Sequence, residues 1–134
     1  MIPSADPLTR LVVDEAEVNR ELLASTLEGK IRVDIVRGTF VFVQRVREQL
    51  SKRQQVIVAL LAHKALHLLD PKFPEALRPV DIESASGIRG GTLRPILKVL
   101  VDSDLIKRQD PERAYFVPGH SIESAKKFLN TRGE

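Results

Sequence analysis

The chain has 134 residues, 43% of them hydrophobic and 29% charged, which is the size and balance of one water-soluble globular domain with a core of its own. It has no cysteine, which excludes disulfides, thiolate metal sites and cysteine catalysis. Net charge is only +3 but unevenly spread: residues 1–43 are net acidic, and residues 44–78 carry 7 basic against 3 acidic side chains.

The start, MIPSADPLTR, lacks the basic head and apolar middle of a signal peptide, and the longest apolar run, VIVALLA (56–62), is too short to span a bilayer. A cytoplasmic protein without a membrane partner is expected. VDEAEVNRELLASTLEG then predicts a helix. Asp14 is its cap, Glu17 stands at the capping-box distance, Val13 staples onto Val18, and Gly29 ends it. Val18, Leu22, Leu23 and Leu27 form its apolar stripe. KIRVDIVRGTFVFV switches to period two and predicts a β-hairpin around RGT. QRVREQL (44–50) is a helical turn or a connector.

SKRQQVIVALLAHKALHLL predicts a long helix opened by a Ser51/Gln54 capping box and closed before Asp70–Pro71. Its apolar positions cover more than half the circumference, so it needs cover on more than one side. The N-terminal helix and hairpin are expected to supply part of it. Residues 70–79, with three prolines, are a connecting loop. A short helix (VDIESAS), a glycine cluster (SGIRGGTLRP) and a longer helix to about Ser103 follow. In that helix Leu93, Ile96, Leu97 and Leu100 make one buried stripe, with Arg94, Pro95 and Lys98 opposite. Placing Pro95 in the first turn, where its missing N–H costs nothing, makes Thr92 the cap. DLIKRQDPERAYFVP reads as a second hairpin, with Asp110–Pro111 at the first two positions of a type I turn. SIESAKKFLN is a last helix capped by Ser121.

DIESASGIRGGTLRPILKVLVDSDLIKR followed by AYFVP resembles the winged helix-turn-helix superfamily over about residues 51–118. The fold this implies is α+β: a three-helix core with a β-hairpin wing, here extended by an N-terminal helix and hairpin (1–50) packed on a winged-helix unit (51–134) that carries the C-terminal helix. Residues 1–43 have no counterpart in the minimal fold, and the loop at 70–79 is longer than that fold needs. The resemblance implies binding of double-stranded DNA in transcription regulation. Arg89, Thr92, Arg94 and Lys98 would face DNA, and Lys107, Arg108 and Arg113 would lie on the wing. It also places Ile88 in the core.

Two other readings stand beside this one. A winged helix also serves as a protein-binding module or as a subunit of an assembly. Gly87-Ile88-Arg89-Gly90 also resembles the GxxG loop of KH domains, which clamps RNA, although Ala85 and Ser86 stand where that family has bulky aliphatics. A KH loop would leave Ile88 bare. Lys98 and Asp102, four apart, can simply pair on a solvated face.

His63 and His67 have two-histidine zinc spacing without the glutamate of a zinc protease, and they read as ordinary polar positions. No nucleophile elbow, P-loop or dinucleotide fingerprint is present. No enzyme, metal, cofactor or small-molecule ligand is expected. Arg45, Arg47, Lys52 and Arg53 form a run that can contact a phosphate backbone or simply be solvated. A homodimer is expected if the target is palindromic. The candidate surfaces for it are the Val56–Leu60–His63–His67 face, the first hairpin and the last helix.

Overall fold

The structure is a computed structural model that describes residues 7–11 and 15–131. The expected Asp14 cap, its Glu17 partner and the Val13–Val18 contact lie outside the described residues and side chains. After a 3₁₀ turn at Pro7–Leu11, helix α1 runs Glu15–Leu27, and strands β1 (Ile31–Asp34) and β2 (Thr39–Phe42) form the first hairpin. A single helical turn, α2 (Val46–Gln49), precedes the long α3 (Lys52–Leu69). Then come α4 (Pro79–Ser86), α5 (Gly90–Asp102), the second hairpin β3 (Lys107–Gln109) and β4 (Ala114–Phe116), and α6 (Ile122–Leu129). The architecture is α+β: six α-helices and two separate two-stranded antiparallel sheets among the described residues.

The core is organised by α3. Its start is fixed by the reciprocal capping box: the Gln54 N–H donates to Ser51 Oγ at 3.1 Å, and the Ser51 N–H donates to Gln54 Oε1 at 2.9 Å. Every residue from Val56 to Ala62 is fully buried. A helix buried all round needs cover from several directions, and the chain supplies it. Leu23 and Leu27 of α1, Phe40 and Phe42 of β2, Ile82, Leu93 and Leu97 of α4 and α5, and Ile122 and Leu129 of α6 all join one cluster around it. The Val56–Leu60–His63–His67 face is therefore not a free interface. Val56 and Leu60 have no exposed area, because several later elements close over the side the helical wheel left open.

Two buried polar side chains on α3, Gln54 and Lys64, are satisfied by distant backbone and by one acid. The Gln54 amide nitrogen donates to the carbonyls of Phe128 and Thr131, each at 3.0 Å, which anchors the end of α6. Lys64, 8% exposed, meets Glu75 at 2.8 Å and pins the loop after α3. That loop contributes more than a connection. Leu77 exchanges two backbone hydrogen bonds with Tyr115, of 2.9 and 2.7 Å, and so adds a bridge beside β4.

Two local expectations need correction. Ser121 precedes α6 but its hydroxyl makes no cap; it donates instead to the Asp104 carbonyl at 2.9 Å, tying α6 to the end of α5. The Asp110–Pro111 peptide between β3 and β4 is cis. The start of α5 also differs from expectation, as described with the site.

Candidate nucleic-acid interface

The SGIRGGTLRP segment is a tight helix–turn–helix junction rather than an open loop. α4 ends at Gly87, whose φ of +75° is the left-handed value that glycine takes most easily. The buried Ser86 hydroxyl donates to the Ile82 carbonyl at 2.6 Å and accepts the Ile88 N–H at 3.2 Å. Arg47, from α2, donates to the Ser86 carbonyl at 2.5 Å and closes the turn from outside. The chain then sends Ile88 inward, where it is 5% exposed and joins Ile82, Leu93 and Leu97 in the core.

α5 begins at Gly90 with Arg89 in the capping position, three residues before the expected Thr92 cap. The Arg89 carbonyl accepts from Leu93 at 2.8 Å, and Glu83 reaches over from α4 to accept the Gly90 N–H at 2.8 Å. A carboxylate at a helix N-terminus satisfies an orphan donor and suits the positive end of the dipole. Since that cap comes from another helix, sequence-local reasoning places the start too late. Pro95 consequently lies in the second turn, and having no N–H it leaves the carbonyl of the exposed Gly91 without a helical partner.

Leu93, Ile96, Leu97 and Leu100 are buried, while Arg94, Pro95, Lys98 and Asp102 are exposed, so α5 turns a polar ridge outward. Lys98 and Asp102 stand 3.7 Å apart with both side chains mostly in solvent, a pair that contributes a few tenths of a kcal/mol. The β3–β4 hairpin runs beside this ridge. Between them lies a cleft of about 950 Å³, with Arg94 and Lys98 on one wall and Lys107, Arg108 and Arg113 on the other. Tyr115, Leu97, Val101 and Ile106 also line it, as do three acids, Asp102, Asp104 and Asp110. Arg108 is paired with Asp110 at 3.2 Å; among the described residues Arg94, Lys107 and Arg113 have no ion pair.

The seven residues singled out from sequence thus divide five and two. Arg89 and Thr92 line a second depression with Arg47 and Lys52, away from the cleft. The reason is helical geometry: Thr92 and Arg94 are two residues apart, about 200° around the axis. The basic run at 45–53 divides as well, because Arg53 lines a different surface with Lys127 and Phe128. Sequence reasoning missed the Arg47 latch and the Glu83 cap, each a contact across about 40 and 7 residues of chain respectively. It also missed Asp104 and Asp110 as part of the cleft. Only the i, i+4 spacing of Lys98 and Asp102 gave any local sign that acids would share it.

The histidine pair does other work. The His67 Nδ1–H donates to the Phe73 carbonyl at 2.7 Å. His63 packs edge-on to Phe40, with ring centroids 6.0 Å apart, and its buried Nδ1 has no partner. Burial pushes the His63 pKa below its ordinary value of 6.5, with Asp81 pulling the other way. Among the described residues no group of three or more potential ligands is placed to hold a metal ion, and no helix is long and apolar enough to cross a membrane. Comparisons with family models, curated proteins and solved structures return no match to this chain.

Proposed function

We propose that this chain is a winged-helix protein that binds double-stranded DNA without catalysis and serves in transcription regulation. α3, α4 and α5 are then the three-helix core, α5 enters the major groove, and β3–β4, with Leu77 alongside, is the wing. The observation that carries this reading is the burial of Ile88 together with the open cationic ridge it turns outward. With Ile88 5% exposed, Arg94 and Lys98 face solvent, opposite Lys107, Arg108 and Arg113. The same burial speaks against a KH-type clamp, which would leave Ile88 bare. In this reading Arg94 reads a guanine edge, Lys98 reaches base or phosphate, and the wing cations hold the backbone without reading sequence.

Random-sequence duplex should bind in a salt-dependent manner, and Arg113→Ala should weaken every sequence alike while reducing the salt slope by about one. Arg94→Ala should cost about 1–3 kcal/mol on a selected site. If Arg94→Ala/Lys98→Ala binds duplex as tightly as the parent across a salt series, the groove assignment is wrong. A second reading, a protein-binding module, is favoured by one observation: Asp102, Asp104 and Asp110 line the same cleft and two of them neutralise Lys98 and Arg108. Absence of any salt-dependent binding to duplex would select that reading.

A further inference from the structure

In the first hairpin the Val43 N–H donates to the Lys30 carbonyl at 2.8 Å, and the register continues Ile31 to Phe42, Arg32 to Val41 and Val33 to Phe40. By antiparallel alternation the backbone groups of Arg32 point toward β2, and those of Ile31 and Val33 point away from it. The two edges of this sheet differ. At β2, Thr39 and Phe40 share a small cavity with Asp81 and Ser84 of α4, and Gly38 abuts the Phe73 ring. At β1 the edge strand has no second strand partner among the described residues and opens onto an apolar groove of about 390 Å³ lined by Leu23, Leu27, Leu68 and Leu69 together with Ile31 and Val33. Val33 and Leu69 are 37% and 51% exposed there, and Ile35, in the turn after β1, is 47% exposed. An unpaired edge beside bare apolar surface is a template for another strand.

We propose that the β1 edge is a self-association site, at which a second copy of this chain adds its own β1 antiparallel to give a continuous four-stranded sheet. The strand is self-complementary. Ile31-Arg32-Val33-Asp34-Ile35 reads apolar, basic, apolar, acidic, apolar, and an antiparallel pairing centred on Val33 sets Arg32 against Asp34 of the second copy twice, by symmetry. Backbone alternation permits only pairings centred on a residue. The neighbouring centres would oppose Arg32 to Arg32 or Asp34 to Asp34, so charge selects Val33. Arg32 has no ion pair among the described residues. Asp34 Oδ1 already accepts from Val36 and Arg37, but its Oδ2 meets only the exposed Arg37 at 3.9 Å and is open to a better partner. In this register Arg32 and Asp34 form the non-hydrogen-bonded pair, where side chains approach most closely. The association is independent of the DNA reading.

Sedimentation equilibrium of the full chain should show a monomer–dimer equilibrium. Arg32→Asp, which opposes acid to acid at both pairs, should raise the dimer Kd about tenfold or more with the circular dichroism spectrum unchanged. Because the chain lacks cysteine, Val33→Cys and Val41→Cys each introduce a single thiol. The two copies' Val33 Cα atoms would lie about 5.5 Å apart, so a short bis-thiol reagent should link Val33→Cys into covalent dimers. It should not link Val41→Cys, whose strands would be three spacings, about 14 Å, apart. A chain that stays monomeric would overturn the proposal and leave the edge to a different protein. A dimer that Arg32→Asp does not weaken, or that crosslinks at position 41 and not 33, would overturn it too.

Discussion

Protonation of His63 is disfavoured in the folded chain because burial penalises the charged ring more than Asp81 favours it. The unfolded chain titrates near the ordinary value of 6.5, so below that pH it binds a proton that the folded chain resists. Stability from this group is therefore complete above about pH 6.5 and falls as pH is lowered toward the depressed folded value. His63→Leu removes the effect, and since Nδ1 has no partner to lose, the variant should keep the parent's stability near neutrality to within about 1 kcal/mol. Urea unfolding in mildly acidic and neutral buffer measures both. If parent and variant lose equal stability on acidification, His63 is not the source. The sequence reads His63 and His67 as ordinary polar positions, but which ring finds a partner is decided by tertiary packing: His67 meets a backbone acceptor and the His63 Nδ1 meets none. Arg94 and Lys98 were legible for the opposite reason, because their exposure follows from the period of the leucines on their own helix.

The elements show the same division between local and distant causes. α3 starts where Ser51 and Gln54 say it should, because both halves of its capping box lie within four residues. α5 does not start where Thr92 suggests, because its cap is the Glu83 carboxylate of the preceding helix. Glu83→Ala should therefore destabilise the fold by about 0.5–2 kcal/mol, the range for loss of an N-terminal cap. Glu83→Gln, which keeps an acceptor but not the charge, should lose less. Thermal unfolding of the two variants checks this, and equal stability of parent and Glu83→Ala would mean that Gly90 finds another acceptor. The first hairpin was also legible as alternation with a central glycine, but the β1 edge, unpaired among the described residues, was not. An edge is defined by what fails to pack beside it, and no window of sequence contains that information.

At the level of the molecule, residues 15–43 are part of the core rather than an appendage. Leu23, Leu27, Ile31, Phe40 and Phe42 pack in the same cluster as Ile57 and Leu61 of α3. Deleting residues 1–43 uncovers several large side chains, and core truncations cost about 2–5 kcal/mol apiece. A domain's whole stability is about 5–15 kcal/mol, so the remaining chain should not fold cooperatively. Urea unfolding monitored by circular dichroism would show a broad, low-amplitude transition. A sharp transition with the parent's midpoint would mean that residues 44–134 stand alone.

By itself the sequence determined the alternation of helices and hairpins, the identity of the central helix and the outward face of Arg94 and Lys98. Each of these follows from hydrophobic period or capping chemistry within a few residues. Only the tertiary structure decided that Arg89 and Thr92 leave the cleft, that acids share it, that Glu83 begins α5, and that β1 pairs with β2 alone among the described residues. Those depend on which surfaces meet, and such meetings are set by the summed burial of residues far apart in the chain.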